Sequence, residues 1–349
     1  MFVNYLYFII LFFLLLFSIW EVLCKKKLKY EKSIFLAATG ILILYSGFRP
    51  LNFDQDIQMY LNTFQSFCKY SFHDVMFDNP HRIKEKGFII VNKLFCDVGF
   101  RTMILLFAMI GIGLKSVVIS RKTNYCFTAL FIYVVLFFPL REYTQVRDAI
   151  ASSFIILALV YYNRKDFIYS FLLFLVALSF HFVALIYIPI VAIIYLIKRD
   201  VYYLLIACFG GILFFIKPTE YLKGINQLPA QILKYNEAQG TGSFLVLLFV
   251  TMVLIFYYFS KKYFDFKSDQ DTDLYVKLSY ISICIGLITY YHPVLSRLSN
   301  LLVFFSIILL SNLISSISNV VIRYLFIFSL VLFYLYGVRN FMLIMGQDV

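Results

Sequence analysis

Long, continuously apolar runs separated by short polar breaks set the pattern of this chain. Runs lie near 4–23, 33–48, 102–120, 124–140, 146–162, 166–180, 182–197, 201–216, 244–260, 274–291, 297–313 and 319–338. Most approach the roughly 17–25 residues that a helix needs to cross a bilayer. The pattern therefore predicts an all-α, polytopic integral membrane protein with about twelve transmembrane helices. Strands of a membrane β-barrel would alternate polar and apolar residues, and these runs do not. GFIIVNKLFCDVGF (87–100) is too short to span. Its Phe88, Ile89, Val91, Leu94, Phe95 and Val98 form a helical stripe, which predicts an amphipathic helix lying at the interface or dipping into it. The first run has no basic leader and no small-residue cleavage site, so it reads as a retained helix. Around His181 some thirty apolar residues form either one tilted helix or two spans meeting at a tight outer turn.

Composition changes the picture only by excluding a soluble protein. Of 349 residues, 62% are hydrophobic, 20% aromatic and 14% charged, too little polar surface for a water-soluble chain of this size. No stretch is polar and long enough for an independent soluble domain, so residues 1–349 read as a single transmembrane domain. The net charge of +12 would suggest nucleic acid in a soluble protein. Here the lysines sit between spans, where topology and membrane lipid headgroups account for them without nucleic acid.

The charge pattern also orients the chain. CKKKLKYEK (24–32) carries five lysines. With that loop in the cytoplasm, ISRKTN, YNRKD, IKRD, SKKYFDFK and SNVVIR become inner loops as well, and each is basic. Both termini then lie outside, together with two longer segments, 49–101 and 217–243. The short outer loops hold only Arg141, Arg147, Arg297 and Arg339 among their Lys and Arg. Polar residues gather on this outer face, and the inner face is short basic turns, so any chemistry belongs outside. The six cysteines show no C-x-x-C and read as isolated buried thiols; only Cys68 and Cys96 share a polar region in which they could pair.

Candidate chemistry follows from what collects there. Arg49, Arg141, Arg147 and Arg297 stand at span ends. Snorkelling explains Arg49, Arg141 and Arg297 singly, but an arginine cluster with planar forks also suits a lipid-linked diphosphate. Arg147 opens a span with Asp148 beside it: a local ion pair is the plain reading, an anion site at a helix N-terminus the functional one. Tyr60, Tyr143, Gln145, Tyr291 and His292 could stack on and hydrogen-bond sugars. His181 in SFHF is either a packed core histidine or an acid–base group. The carboxylates Asp54, Asp56 and Glu85 are candidate general bases. HDVMFDNPH (73–81) fits no standard metal spacing and reads as a solvated loop, so neither a metal nor another cofactor is expected. GIGLKS (111–116) lacks phosphate-loop spacing, and its glycines read as helix-packing positions.

The order of these features resembles the EpsG-like branch of the Wzy-type polysaccharide polymerases. A lysine-rich inner loop is followed by a span ending in Arg49, the DQDIQMY stretch (Asp54, Asp56, Tyr60), and EKGFIIVNKLF with Glu85 and Gly87. REYTQVRDAIASSFIILAL and SFHFVALIYIPI continue the likeness, which covers roughly residues 25–190. PLNFDQD departs from the family's glycine-rich approach to the acid, leaving open whether Asp54 or Asp56 matches it. The resemblance implies a GT-C-like membrane glycosyltransferase of the bacterial inner membrane, with its active site facing the periplasm. It would join undecaprenyl-diphosphate-linked oligosaccharide repeats into O-antigen, capsule or exopolysaccharide, alongside a chain-length regulator protein. The alternatives are a lipid-linked oligosaccharide flippase, a transferase or acyltransferase decorating one glycan unit, and a non-catalytic scaffold.

Overall fold

A computed structural model of the chain describes residues 2–24, 30–51, 55–78, 85–216, 242–264, 266–291 and 296–344. The described residues form helices and no strand. In chain order the helices are α1 (Phe2–Cys24), α2 (Glu31–Gly47), α3 (Gln55–Lys69), α4 (Lys86–Leu94), α5 (Phe100–Lys122), α6 (Cys126–Leu136) and α7 (Val146–Asn163). They continue as α8 (Phe167–Phe180), α9 (Tyr187–Leu196), α10 (Asp200–Ile216), α11 (Gly242–Tyr263), α12 (Gln270–Ile288), α13 (Ser296–Ser316) and α14 (Val320–Ile344). Each expected span falls on one of these helices. Six are long and apolar enough to cross a bilayer: Tyr5–Cys24, Phe100–Lys122, Val146–Asn163, Phe244–Tyr263, Arg297–Ser316 and Val320–Leu343. Others are shorter, and α12 carries Asp271, Asp273 and Lys277.

The boundaries depart from the sequence expectation in three places, each for a local reason. The run 124–140 is not one helix. Pro139 has no N–H to donate, and α6 stops at Leu136, giving way to a π-helical turn at Phe138–Glu142. The long run around His181, by contrast, divides where 166–180 and 182–197 were expected to part: His181 is extended (φ −160°, ψ 137°) and leads into a 3₁₀ turn, Phe182–Ile186. The interfacial helix is shorter than 87–100. It ends at Leu94, and Gly99, at φ 106°, takes a conformation that favours glycine before α5 starts. The outer segment 49–101 also contains a second amphipathic helix, α3, whose stripe Ile57, Tyr60, Phe64 and Phe67 is buried.

Residues 1–185 and 318–349 form one compact unit, and residues 186–317 a second. In the first, α5 packs between α2 and α7, α7 lies along α8, and α3 pairs with α4, which leans on α8. Helix α1 lies against α6 and α14. Side chains from neighbouring helices close two helix ends in this unit. Glu21 of α1 accepts from the backbone N–H groups of Phe127 (2.9 Å) and Thr128 (2.8 Å), capping the start of α6. Arg323 of α14 donates to the carbonyls of Val22 (3.2 Å) and Leu23 (3.1 Å), the last turn of α1. In the second unit α12 packs against α10, α11 and α13. Small residues permit this: a Cβ on Gly210 would lie 2.7 Å from Cys284 Cα, and Ser279 and Ser306 hydroxyls meet at 2.7 Å.

Candidate functional site

Arg147 sits in the first turn of α7, where the free N–H groups of the helix already favour an anion. Its guanidinium carbon lies 5.4 Å from the ring centre of Tyr60 and 5.2 Å from that of Phe88. Its NH1 is 3.7 Å from Glu85 Oε2. That separation is an ion pair longer than a normal hydrogen bond, so the two groups are loosely held. The side chains are 19% and 11% exposed, which leaves them within reach of a ligand. Arg147 Nε finds no hydrogen-bond partner among the described residues. Three residues singled out in the sequence, Tyr60, Glu85 and Arg147, are thus brought together by three separate helices.

The helices deliver these groups for identifiable reasons. Glu85 is the N-cap position of α4, so its carboxylate stands at the mouth of that helix. Gly87 lets the same end seat on α8: a Cβ there would fall 2.9 Å from Ser179 Cβ and 3.0 Å from its carbonyl oxygen. Beneath the cluster lies an apolar floor containing Ile57, Tyr60, Phe88, Phe107, Ile150 and Phe180. His181 ends α8 just beyond Phe180. Its Nδ1 accepts from the Val183 N–H at 3.0 Å, which places the neutral ring's proton on Nε2. Asp56 lies in the first turn of α3, one helical turn before Tyr60 and on the same side. Asp54 and His292 lie outside the described residues.

The other arginines are used differently. Arg49 is almost wholly enclosed, donates through NH1 to the carbonyls of Tyr143 and Glu142 (3.1 Å), and stands 5.6 Å from the Tyr143 ring. Tyr143 is buried against Tyr45 and Phe138. Arg141 meets Asp148 at 3.4 Å, both buried, so the acid that stands next to Arg147 in sequence pairs with Arg141. Gln145, the N-cap of α7, is buried, and its Oε1 has no hydrogen-bond partner among the described residues. Arg297 and Tyr291 belong to the second unit, where Tyr291 stacks on Phe214 at 5.3 Å and stays partly exposed.

Two further groups complete the support. Lys115, in the middle of α5, reaches Glu142 Oε1 at 2.5 Å and the Ala149 carbonyl at 3.1 Å. It pins the chain on both sides of Arg147. Gly111 makes room for this, since a Cβ there would lie 2.8 Å from Glu142 Oε2; the packing role expected for the glycines of GIGLKS holds at Gly111 and not at Gly113, where a Cβ would meet open space. A lysine inside an apolar span was the available signal. The second is a disulfide between Cys68 and Cys96. The expectation of isolated thiols fails for this pair because α3 and α4 run side by side.

The arrangement is a loosely paired Arg and Glu, backed by aromatic rings, at a helix N-terminus. It can hold an anion and accept a proton; the sugar-stacking role expected of Tyr60 does not fit its burial in the core. Comparison with known sequences gives one consistent result: the sequence model of the EpsG family matches residues 32–346, nearly the whole chain. No curated protein and no solved structure matches the chain.

Proposed function

The chain belongs to the EpsG family, a family of Wzy-type polysaccharide polymerases, and on that footing we propose that it lengthens a glycan by joining lipid-diphosphate-linked oligosaccharide units outside the cytoplasm. The observation that carries the reading is the cluster of Arg147, Glu85 and Tyr60. The lipid is taken to be undecaprenyl diphosphate, the carrier implied by the family.

The chemistry asks for two things. Negative charge develops on the departing diphosphate, and preorganised positive charge stabilises it. Arg147 and the N-terminus of α7 supply that charge. The attacking sugar hydroxyl must lose a proton, and a carboxylate within reach takes it. Glu85 is paired with Arg147. A diphosphate arriving at Arg147 competes for the guanidinium and releases Glu85. Donor binding thereby frees the Glu85 carboxylate to face the acceptor hydroxyl. The acceptor oxygen then attacks the anomeric carbon, the bond to the diphosphate oxygen breaks, the proton goes to Glu85, and the lipid diphosphate leaves. Tyr60 and Phe88, both buried, back the Arg147 guanidinium and fix its position, Asp56 is the next carboxylate along α3, and Arg49 and Arg141 hold the turn before α7.

The extracytoplasmic setting rests on the basic inner loops and is supported by the Cys68–Cys96 disulfide, since such bonds persist outside the reducing cytosol. The test is genetic and direct. In cells whose only copy carries Arg147→Ala or Glu85→Gln, surface glycan should run as single units instead of a ladder. Full-length ladders from both variants, at normal protein levels, would sink the reading.

A further inference from the structure

Helices α3 and α4 are held in one register by two independent contacts. Cys68 and Cys96 are 28 residues apart in sequence, and the same offset separates Tyr60 from Phe88, whose rings meet at 5.9 Å. The two helices therefore run parallel. Positions 60, 64 and 68 lie on one face of α3, and 88, 92 and 96 follow the facing side of α4 and its last turn. The disulfide sits about two helical turns from the aromatic pair that flanks Arg147. The space between is filled by enclosed side chains: Phe64, and Asn92, whose Nδ2 donates to the Phe88 carbonyl at 2.7 Å. Lys93 strengthens the same end by donating to the carbonyls of Phe67 (3.1 Å) and Tyr70 (2.5 Å), the close of α3. Nothing else among these contacts fixes the slide of α3 along α4 covalently. A slip of one residue would rotate Tyr60 off Phe88 and so off Arg147.

We propose that the Cys68–Cys96 disulfide is the covalent pin that sets the Arg147 site, and that it is installed by an extracytoplasmic dithiol–disulfide oxidoreductase. The step is a balanced exchange. One cysteine thiolate attacks the oxidoreductase disulfide and forms a mixed disulfide, releasing one enzyme thiolate. The second cysteine then attacks the mixed bond, closing Cys68–Cys96 and releasing the oxidoreductase as a dithiol, which has accepted two electrons and two protons. Both cysteines are only half-buried, which leaves them open to that attack. The remaining four, Cys24, Cys126, Cys208 and Cys284, are free. As far as it concerns activity, this inference rests on the polymerase reading above.

The experiment uses the full chain in its own membranes. Denatured samples are labelled with a maleimide–polyethylene glycol before and after reduction. Four labels without reductant and six with it are expected, and a host lacking its extracytoplasmic thiol oxidase should give six in both. Six reactive thiols in unreduced wild-type membranes would overturn the proposal. Cys68→Ser, Cys96→Ser and the double variant should each lower long-chain polymer to the same extent, roughly tenfold or more, because small misplacements of a binding group cost rate steeply. Normal ladders from the double variant, with wild-type protein forming the bond, would also overturn it. Arg147→Ala, run in parallel, separates the two ideas: normal ladders from that variant count against the polymerase site, whereas the labelling pattern reads the disulfide alone.

Discussion

Lys115 and Glu142 form an ion pair at 2.5 Å with only 3% and 1% of their side chains exposed, one from the middle of α5 and the other from the turn before α7. A pair this enclosed gains little over an apolar pair of the same volume, but it is costly to break by halves. Lys115→Met should destabilise the protein by about 3–5 kcal/mol, because Glu142 is left charged and buried. Lys115→Met with Glu142→Met should recover most of that loss. Thermal unfolding of the detergent-solubilised protein reads both, and a double variant as unstable as the single would refute the account.

Arg147 makes a sharper distinction. Lysine keeps the charge but loses the planar fork that can grip two phosphate oxygens at once. Arg147→Lys should retain stability and make short polymer, and Arg147→Ala should make single units. Equal ladders from the lysine variant and the wild type would mean that charge alone suffices there.

Gly87 is a packing requirement rather than a chemical one. A methyl group at this position meets Ser179, whose Cβ and carbonyl oxygen would lie 2.9 and 3.0 Å away. Gly87→Val should therefore push α4 from α8 and cost about 1–3 kcal/mol of overpacking, together with polymer length. Adding Ser179→Ala should restore only part, because the backbone carbonyl remains. Complete restoration would show that the hydroxyl was the whole obstacle.

Glu21 predicts a defect remote from the site. Its carboxylate takes two backbone N–H groups at the start of α6 and the Thr128 hydroxyl at 2.9 Å. Glu21→Ala removes a charged cap from a buried helix end, which should cost about 1–3 kcal/mol. Glu21→Gln, which keeps one acceptor oxygen, should cost less. Melting temperatures in detergent give the order, and the reverse order would contradict the capping role.

The helices were legible because continuously apolar runs in lipid favour helices: each expected span corresponds to a helix, though 124–140 is helical as α6 only to Leu136. Helix ends were less so, since Pro139 acts within a single turn that a hydropathy run averages away. Helix α3 was missed for a related reason. Its apolar stripe, Ile57, Tyr60, Phe64 and Phe67, is diluted by Gln and Asn on the other side. At the site, residue type pointed to Tyr60, Glu85 and Arg147. It could not say that Asp148 would turn to Arg141 and leave Arg147 to Glu85, because that choice depends on which way α7 faces. Nor could it place Cys68 against Cys96, whose pairing needs the parallel run of α3 and α4.

Arg323 of α14 closes the end of α1, two elements some three hundred residues apart in the chain. The ribosome delivers α1 first and α14 last, with the whole 186–317 unit made in between. Until α14 emerges, α1 and α6 wait in the bilayer with a side meant for protein turned toward lipid. A nonsense mutation anywhere in 186–317 thus damages two units at once, removing the rest of one and leaving the other without its final wall.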